Sequence, residues 1–185
     1  MTNAITVQQI FRRSRLIPPA GDVLRSVGKV YAGREDNLRK LAGEHTLFAA
    51  VHRSSEVLGV LLAGQLDSAY VEGDYNRYLA PRRIDVVGVV ELMDMGVRKN
   101  LRRQGIATEL VSFALDSYQF ADRIITVSRY AGDDADSSLG ILLRSGFQVL
   151  RVVDGYYCGA KTFECPDCGG SCICSGYIME RNNRH

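Results

Sequence analysis

Residues 89–115 read VVELMDMGVRKNLRRQGIATELVSFAL, and this stretch decides how the rest of the chain is arranged. Val89 to Val97 is apolar apart from Glu91 and Asp94, which predicts a buried strand. Arg98 to Gln104 makes a basic turn, and Gly105-Ile106-Ala107 opens an amphipathic helix. A helix start carries backbone N–H groups with no intrahelical partner, and the aligned peptide dipoles add partial positive charge there. Gly105 has no Cβ, so a ligand can come close to the backbone. Arg98, Lys99, Arg102 and Arg103 surround those donors with full charges. The combination predicts a seat for a phosphate or pyrophosphate.

The same residues resemble the GNAT (GCN5-related) N-acetyltransferases. Arg102-Arg103-Gln104-Gly105-Ile106-Ala107 carries that family's R/Q-x-x-G-x-G/A signature, and Val97 precedes it at the family's spacing. The resemblance implies a loop that holds the pyrophosphate of acetyl-CoA on backbone amides. It implies an α/β GNAT fold with a mixed, mostly antiparallel sheet of six to seven strands and about four flanking helices. Strands four and five would splay apart to admit the pantetheine arm. The implied cofactor contacts are Met95, Gly96 and Val97 on the strand, then Arg102, Arg103, Gln104, Gly105, Ile106, Ala107 and Thr108.

Upstream, Ile5 to Phe11 reads as a weak first strand. Pro18-Pro19 is expected to break the chain, with Asp22 capping a helix over roughly Val23 to Leu41 that Gly28 and Gly33 weaken or split. Thr46 to His52 and Glu56 to Ala63 form a hairpin about the polar Arg53-Ser54-Ser55 turn. Residues 66–85 are irregular and rich in Tyr, Arg, Gly and acidic residues, either a substrate-facing lid or a surface excursion. Downstream, Arg123 to Arg129 is a β-branched strand, Asp136 to Leu143 a short helix, and Gly146-Phe147 its end. Gln148 to Val153 and Tyr177 to Glu180 are the last strands. The resemblance covers roughly residues 5 to 153 and the final few residues.

A chain of 185 residues, 46% hydrophobic, is expected to make one domain, 1–185, with a cysteine-rich insertion at about 158–176. A net charge of +2 gives no reason to expect nucleic acid or membrane partners. No apolar run approaches the ~20 residues that span a bilayer. No apolar region follows the charges of the amino terminus, so a cytoplasmic protein is expected, its cysteines thiols or metal ligands. A homodimer is compatible with all of this.

Acetyl transfer to an amine requires a base for the amine, stabilisation of an oxyanion, and departure of a thiolate. Glu91 is the first candidate base, at a strand position where some GNAT enzymes carry a catalytic glutamate, and Asp94 is the second. Strict alternation puts these two on opposite faces, unless the bulge that the family places in this strand intervenes. A carboxylate in an apolar strand is costly to bury unpaired, so each has either a role or an ion-pair partner. The family's tyrosine, four residues before the Gly of Gly-Phe, is replaced by Leu142. Tyr156, Tyr157 and Tyr130 are the alternative proton donors, Tyr156 foremost, and water is another.

Cys165-Pro166-Asp167-Cys168-Gly169 has the C-P-x-C-G form of a zinc knuckle, and Cys172 and Cys174 add two more thiols. Four sulfurs suit a structural Zn²⁺, with Cys158 able to replace one of them. An iron–sulfur cluster, a redox disulfide or an unliganded loop are the other readings. His45, His52 and His185 have no metal-ligand spacing. The function expected is acetyl-CoA-dependent N-acetyl transfer, directly to a primary amine of a protein, peptide or small molecule. A non-catalytic CoA-binding or partner-docking module and a different acyl donor are the alternatives.

Overall fold

The computed structural model describes residues 5–29, 32, 34–53, 55–66, 87–130, 138–158, 164, 165, 168 and 172–183. In chain order these form β1 (Ile5–Ile10), α1 (Ile17–Ser26), α2 (Glu35–Glu44), β2 (Thr46–His52), β3 (Val57–Gln65) and β4 (Val89–Val97). A 3₁₀ turn at Lys99–Leu101 leads to α3 (Ile106–Ser117), β5 (Arg123–Tyr130), α4 (Leu139–Arg144), β6 (Gln148–Val153) and β7 (Ser175–Asn182). The seven strands make one sheet in the order β1-β2-β3-β4-β5-β7-β6. Only β4 and β5 pair in parallel; every other pair is antiparallel.

The elements follow from where apolar side chains fall. Ile17, Ala20, Val23 and Leu24 make one buried stripe on α1, and Ile106, Leu110, Val111 and Ala114 another on α3. The two helices cover opposite faces of the sheet, so β3 is buried from Val57 through Gly64. Phe48 anchors the α3 side, with edge-to-face contacts to Phe113 and Tyr118. Gly59 lets α3 settle onto the sheet: a Cβ there would lie 2.9 Å from Ile106 Cγ2 and 3.0 Å from Leu110 Cδ1. Gly59→Ala is therefore expected to overpack this contact by about 1–3 kcal/mol, lowering the melting temperature by a few degrees in calorimetry.

Two expectations near the amino terminus need correction. Pro18-Pro19 does not break the chain; both lie in the first turn of α1, where the missing N–H costs nothing. Asp22 is consequently inside the helix, paired with Arg25 one turn on, and caps nothing. The helical region over 23–41 is split, as the glycines allowed: α1 ends at Ser26, Gly28 follows in a left-handed conformation (φ +89°), and α2 begins at Glu35. Val30, Tyr31 and Gly33 lie outside the described residues, as does the 66–85 excursion beyond Leu66. The short helix expected from Asp136 runs from Leu139; Asp136 itself is outside the described residues.

Two features of β4 shape the centre of the sheet. Its pairing with β5 runs from Val89↔Arg123 to Leu92↔Thr126 and stops, so the two strands part beyond that rung. Against β3, Leu62 faces Asp94 while Ala63 faces Leu92, which leaves Met93 as the extra residue of a bulge. Val90 and Leu92 before the bulge and Met95 and Val97 after it all pack toward α3. Glu91 and Asp94 therefore share the other face, contrary to strict alternation.

Candidate active site

A cleft of ≈ 860 Å³ starts at the amino end of α3 and passes along the parting of β4 and β5. Gly105 is the N-cap of α3 with φ +82°, a left-handed conformation that glycine adopts without strain. It offers no side chain to the N–H groups of the first turn, which stay directed at the cleft lined by Ile106, Ala107 and Thr108. Among the described residues, nothing stands within 4 Å of where its Cβ would be. Lys99, Arg102 and Arg103 line the same end. Arg98 does not join them: its Nε donates to the Val57 carbonyl at 2.7 Å, and Nη1 lies 3.5 Å from Glu56. Gln104 is exposed and outside the lining.

Farther in, Met95, Gly96 and Val97 line the cleft. Thr126 Oγ1 donates to the Leu92 carbonyl at 2.8 Å, closing the last rung, and beyond it the β4 backbone has no β5 register partner. Backbone polar groups in that position need another partner, which a bound amide-bearing arm can supply. Gly96 is packed against α1, where a Cβ would meet Val27 Cγ2 at 2.9 Å.

The far end carries charge. Asp94 is ion-paired with Lys29, and both line the cleft. Arg129 and Tyr157 form the wall across from them. Burial pushes the Tyr157 phenol well above the ordinary tyrosine range, with Tyr156 and Asp94 adding in the same direction. Tyr156 is not part of the lining; its ring lies over Gly176 and edge-on to Tyr157, 5.0 Å between centroids. Glu91 is only 5% exposed and also outside the lining, opposite Gly64, over which the His45 ring stands. Leu142 is buried and lines the cleft, while Tyr130 packs on Tyr177.

A sequence model of the acetyltransferase (GNAT) family matches residues 17–135. The chain belongs to that family. No curated protein sequence matches it significantly. Among solved structures, the ribosomal-protein-S18-alanine N-acetyltransferase of Escherichia coli superposes with a TM-score of 0.66 at 12% identity, over 98% of this chain and 96% of that one. A GCN5-related N-acetyltransferase from Kribbella flavida gives 0.64 at 18% identity, over 98% and 99%. A GNAT acetyltransferase from Elizabethkingia anophelis, solved with acetyl-CoA bound, gives 0.62 at 13%, over 98% and 99%. At these identities the likeness is one of fold, and the splayed GNAT sheet is that fold.

Between β6 and β7 this GNAT chain carries its cysteines. The sulfurs of Cys165, Cys168, Cys172 and Cys174 all lie within 4.8 Å of one another. Cys174 Sγ is 3.8 Å from Cys165 Sγ and 3.5 Å from Cys168 Sγ. A tetrahedral Zn²⁺ with Zn–S bonds of ~2.3 Å needs sulfurs about 3.8 Å apart, so the four residues fit the ion. Cys158 is exposed and outside the group. Arg129 Nη1 donates toward Cys174 Sγ at 3.5 Å and Cys165 Sγ at 3.6 Å. Tyr157 packs against the same cysteines. Lys29, Arg129 and Tyr157 at the charged end of the cleft carry no motif; only Tyr157 was visible in the sequence, as an alternative to Tyr156. No described helix is long and apolar enough to cross a membrane.

Proposed function

We propose that this chain transfers an acetyl group from acetyl-CoA directly to a primary amine of a protein, peptide or small molecule. One observation carries the reading: the uncapped, arginine-flanked start of α3 opens into a cleft that follows the β4–β5 parting to an ion-paired carboxylate. Arg102 to Thr108 would hold the diphosphate, with Gln104 contributing only its backbone, and Met95, Gly96 and Val97 the pantetheine arm and thioester carbonyl. Asp94 lines the cleft and is the nearer base; Glu91, on the same face but deeper, is the second. The base takes a proton from the ammonium, and the amine attacks the thioester carbon. The new C–N bond leaves a second proton on nitrogen, which passes to solvent as the oxyanion collapses; the C–S bond breaks and the CoA thiolate leaves. Tyr157, whose phenol burial pushes above the ordinary tyrosine range, lines the cleft and is the hydrogen-bond donor this reading gives to that sulfur. Solvent supplies the proton that the thiolate takes up, and Tyr156 braces the Tyr157 ring.

Asp94→Asn keeps the side chain's shape and removes the base. It is expected to lower kcat by about a hundredfold for amines that release CoA in a thiol assay, with acetyl-CoA affinity unchanged. The same loss in Glu91→Gln, with Asp94→Asn near parental, assigns the base to Glu91. Absence of CoA release with every amine, alongside tight acetyl-CoA binding, supports the second reading: a CoA-binding or docking module. Leu142 favours that reading, since the side chain lining this part of the cleft has no proton to give. The four clustered thiols are read as a structural Zn²⁺ site, closed by protein ligands with no open position for catalysis.

A further inference from the structure

The cysteine segment touches the charged end of the cleft from both sides. On one side, Arg129 stands on β5 three residues beyond the last β4–β5 rung, lines the cleft, and aims Nη1 at Cys165 and Cys174. Tyr157, which lines the cleft beside it, packs on the same cysteines. On the other side, the Glu164 N–H donates to the Gly28 carbonyl at 2.9 Å, one residue before Lys29, the partner of Asp94. Glu164 is thus tied to one wall, and Cys165 and Cys174 to the other.

We propose that the thiolate cluster braces the acceptor-side wall of the cleft from behind, through Tyr157 and through Arg129 as its positioning residue, so that the cluster governs amine binding and leaves acetyl-CoA binding alone. This rests on the acetyl-transfer reading above. Metal-bound thiolates carry excess negative charge, and a guanidinium donating to two of them is held by charge-assisted hydrogen bonds. With its head fixed on sulfur, the stem of Arg129 is fixed along the wall of the cleft. Arg102 and α3 lie at the opposite end, so their hold on the diphosphate is independent of this contact.

The test uses the full chain loaded with Co²⁺, comparing the parent with Arg129→Gln and Arg129→Lys. Two readouts are taken: the thiolate-to-cobalt charge-transfer absorption, and steady-state kinetics with the best amine found. Arg129→Gln is expected to shift the absorption and raise the amine KM about tenfold, with the acetyl-CoA KM within twofold of the parent. Arg129→Lys, which keeps a cationic donor, is expected to recover part of the amine KM. An unshifted absorption, an unchanged amine KM, or an equal rise in both KM values would overturn the proposal. Should no amine turn over, the acetyl-transfer reading fails separately; the absorption and the acetyl-CoA affinity of Arg129→Gln then decide, an unshifted band or a weakened affinity counting against this inference.

Discussion

The double variant Arg102→Ala/Gly105→Ala is expected to bind acetyl-CoA about a thousandfold more weakly than the parent while keeping its fold. Arg102 lines the mouth of the cleft, and a charge-assisted hydrogen bond from it to a phosphate is worth about 1.5–3 kcal/mol. A methyl at Gly105 would occupy the open space in front of the first turn of α3, where the diphosphate has to sit to reach the backbone donors. Losing that approach costs a similar amount, and each 1.4 kcal/mol is a factor of ten in affinity. The folding cost is smaller. No atom clashes with the new Cβ, so only the left-handed conformation is strained, by about 1–2 kcal/mol. Isothermal titration calorimetry beside circular dichroism separates the two effects. A folded double variant with parental affinity removes the proposed diphosphate seat, and the acetyl-transfer reading with it.

The residues that made the β4–turn–α3 unit readable are those whose local chemistry and local geometry coincide. A left-handed N-cap needs glycine, a buried strand needs β-prone apolar residues, and a phosphate site needs arginine, so the order of β4, turn and α3 was visible in one stretch. The 46–52 and 56–63 hairpin was legible for the same reason, and β3 differs from expectation by starting at Val57 and running on to Gln65. What escaped was set by tertiary contact. The resemblance implied a bulge in β4 but not its place: it falls at Met93, which has none of the backbone freedom that marks a bulge in sequence, and turns Asp94 onto the face of Glu91. Pro18-Pro19 breaks a helix interior but suits its first turn, and nothing local says which applies. Lys29 and Arg129 matter only because α1 and β5 bring them to the cleft, while Arg98, as basic as its neighbours, is drawn back to β3.

The cysteine segment was legible in the opposite way: its four thiols stood out by spacing as candidate metal ligands, while the contacts that set it against the cleft, at Arg129 and Gly28, came only with the fold. Purified chain is expected to contain about one Zn²⁺, and Cys174→Ser to lose it and melt ~10 °C lower. Cys165, Cys172 and Cys174 form, with Tyr157, a small apolar cluster of their own, separate from the three clusters that hold the sheet. Among the described residues that is a small cluster for the β6–β7 connection, and metal binding, worth ~10–16 kcal/mol in small zinc sites, is a sufficient substitute for packing. If only about 4 kcal/mol of that is coupled to folding, the shift at ~2–4 °C per kcal/mol is of the stated size. Burial pushes the Cys172 thiol up to about 12 and raises Cys174 as well, so a cation has to displace protons from both. Zinc occupancy should therefore fall as the pH is lowered, since protons compete for the same sulfurs. Cys158→Ser is the control, expected to retain the metal because Cys158 stands outside the four-sulfur group. Metal analysis and differential scanning calorimetry of the three proteins suffice. A Cys174→Ser variant that melts with the parent would leave the cysteines without a structural role, and a metal-free parent with paired sulfurs would turn them into a redox element.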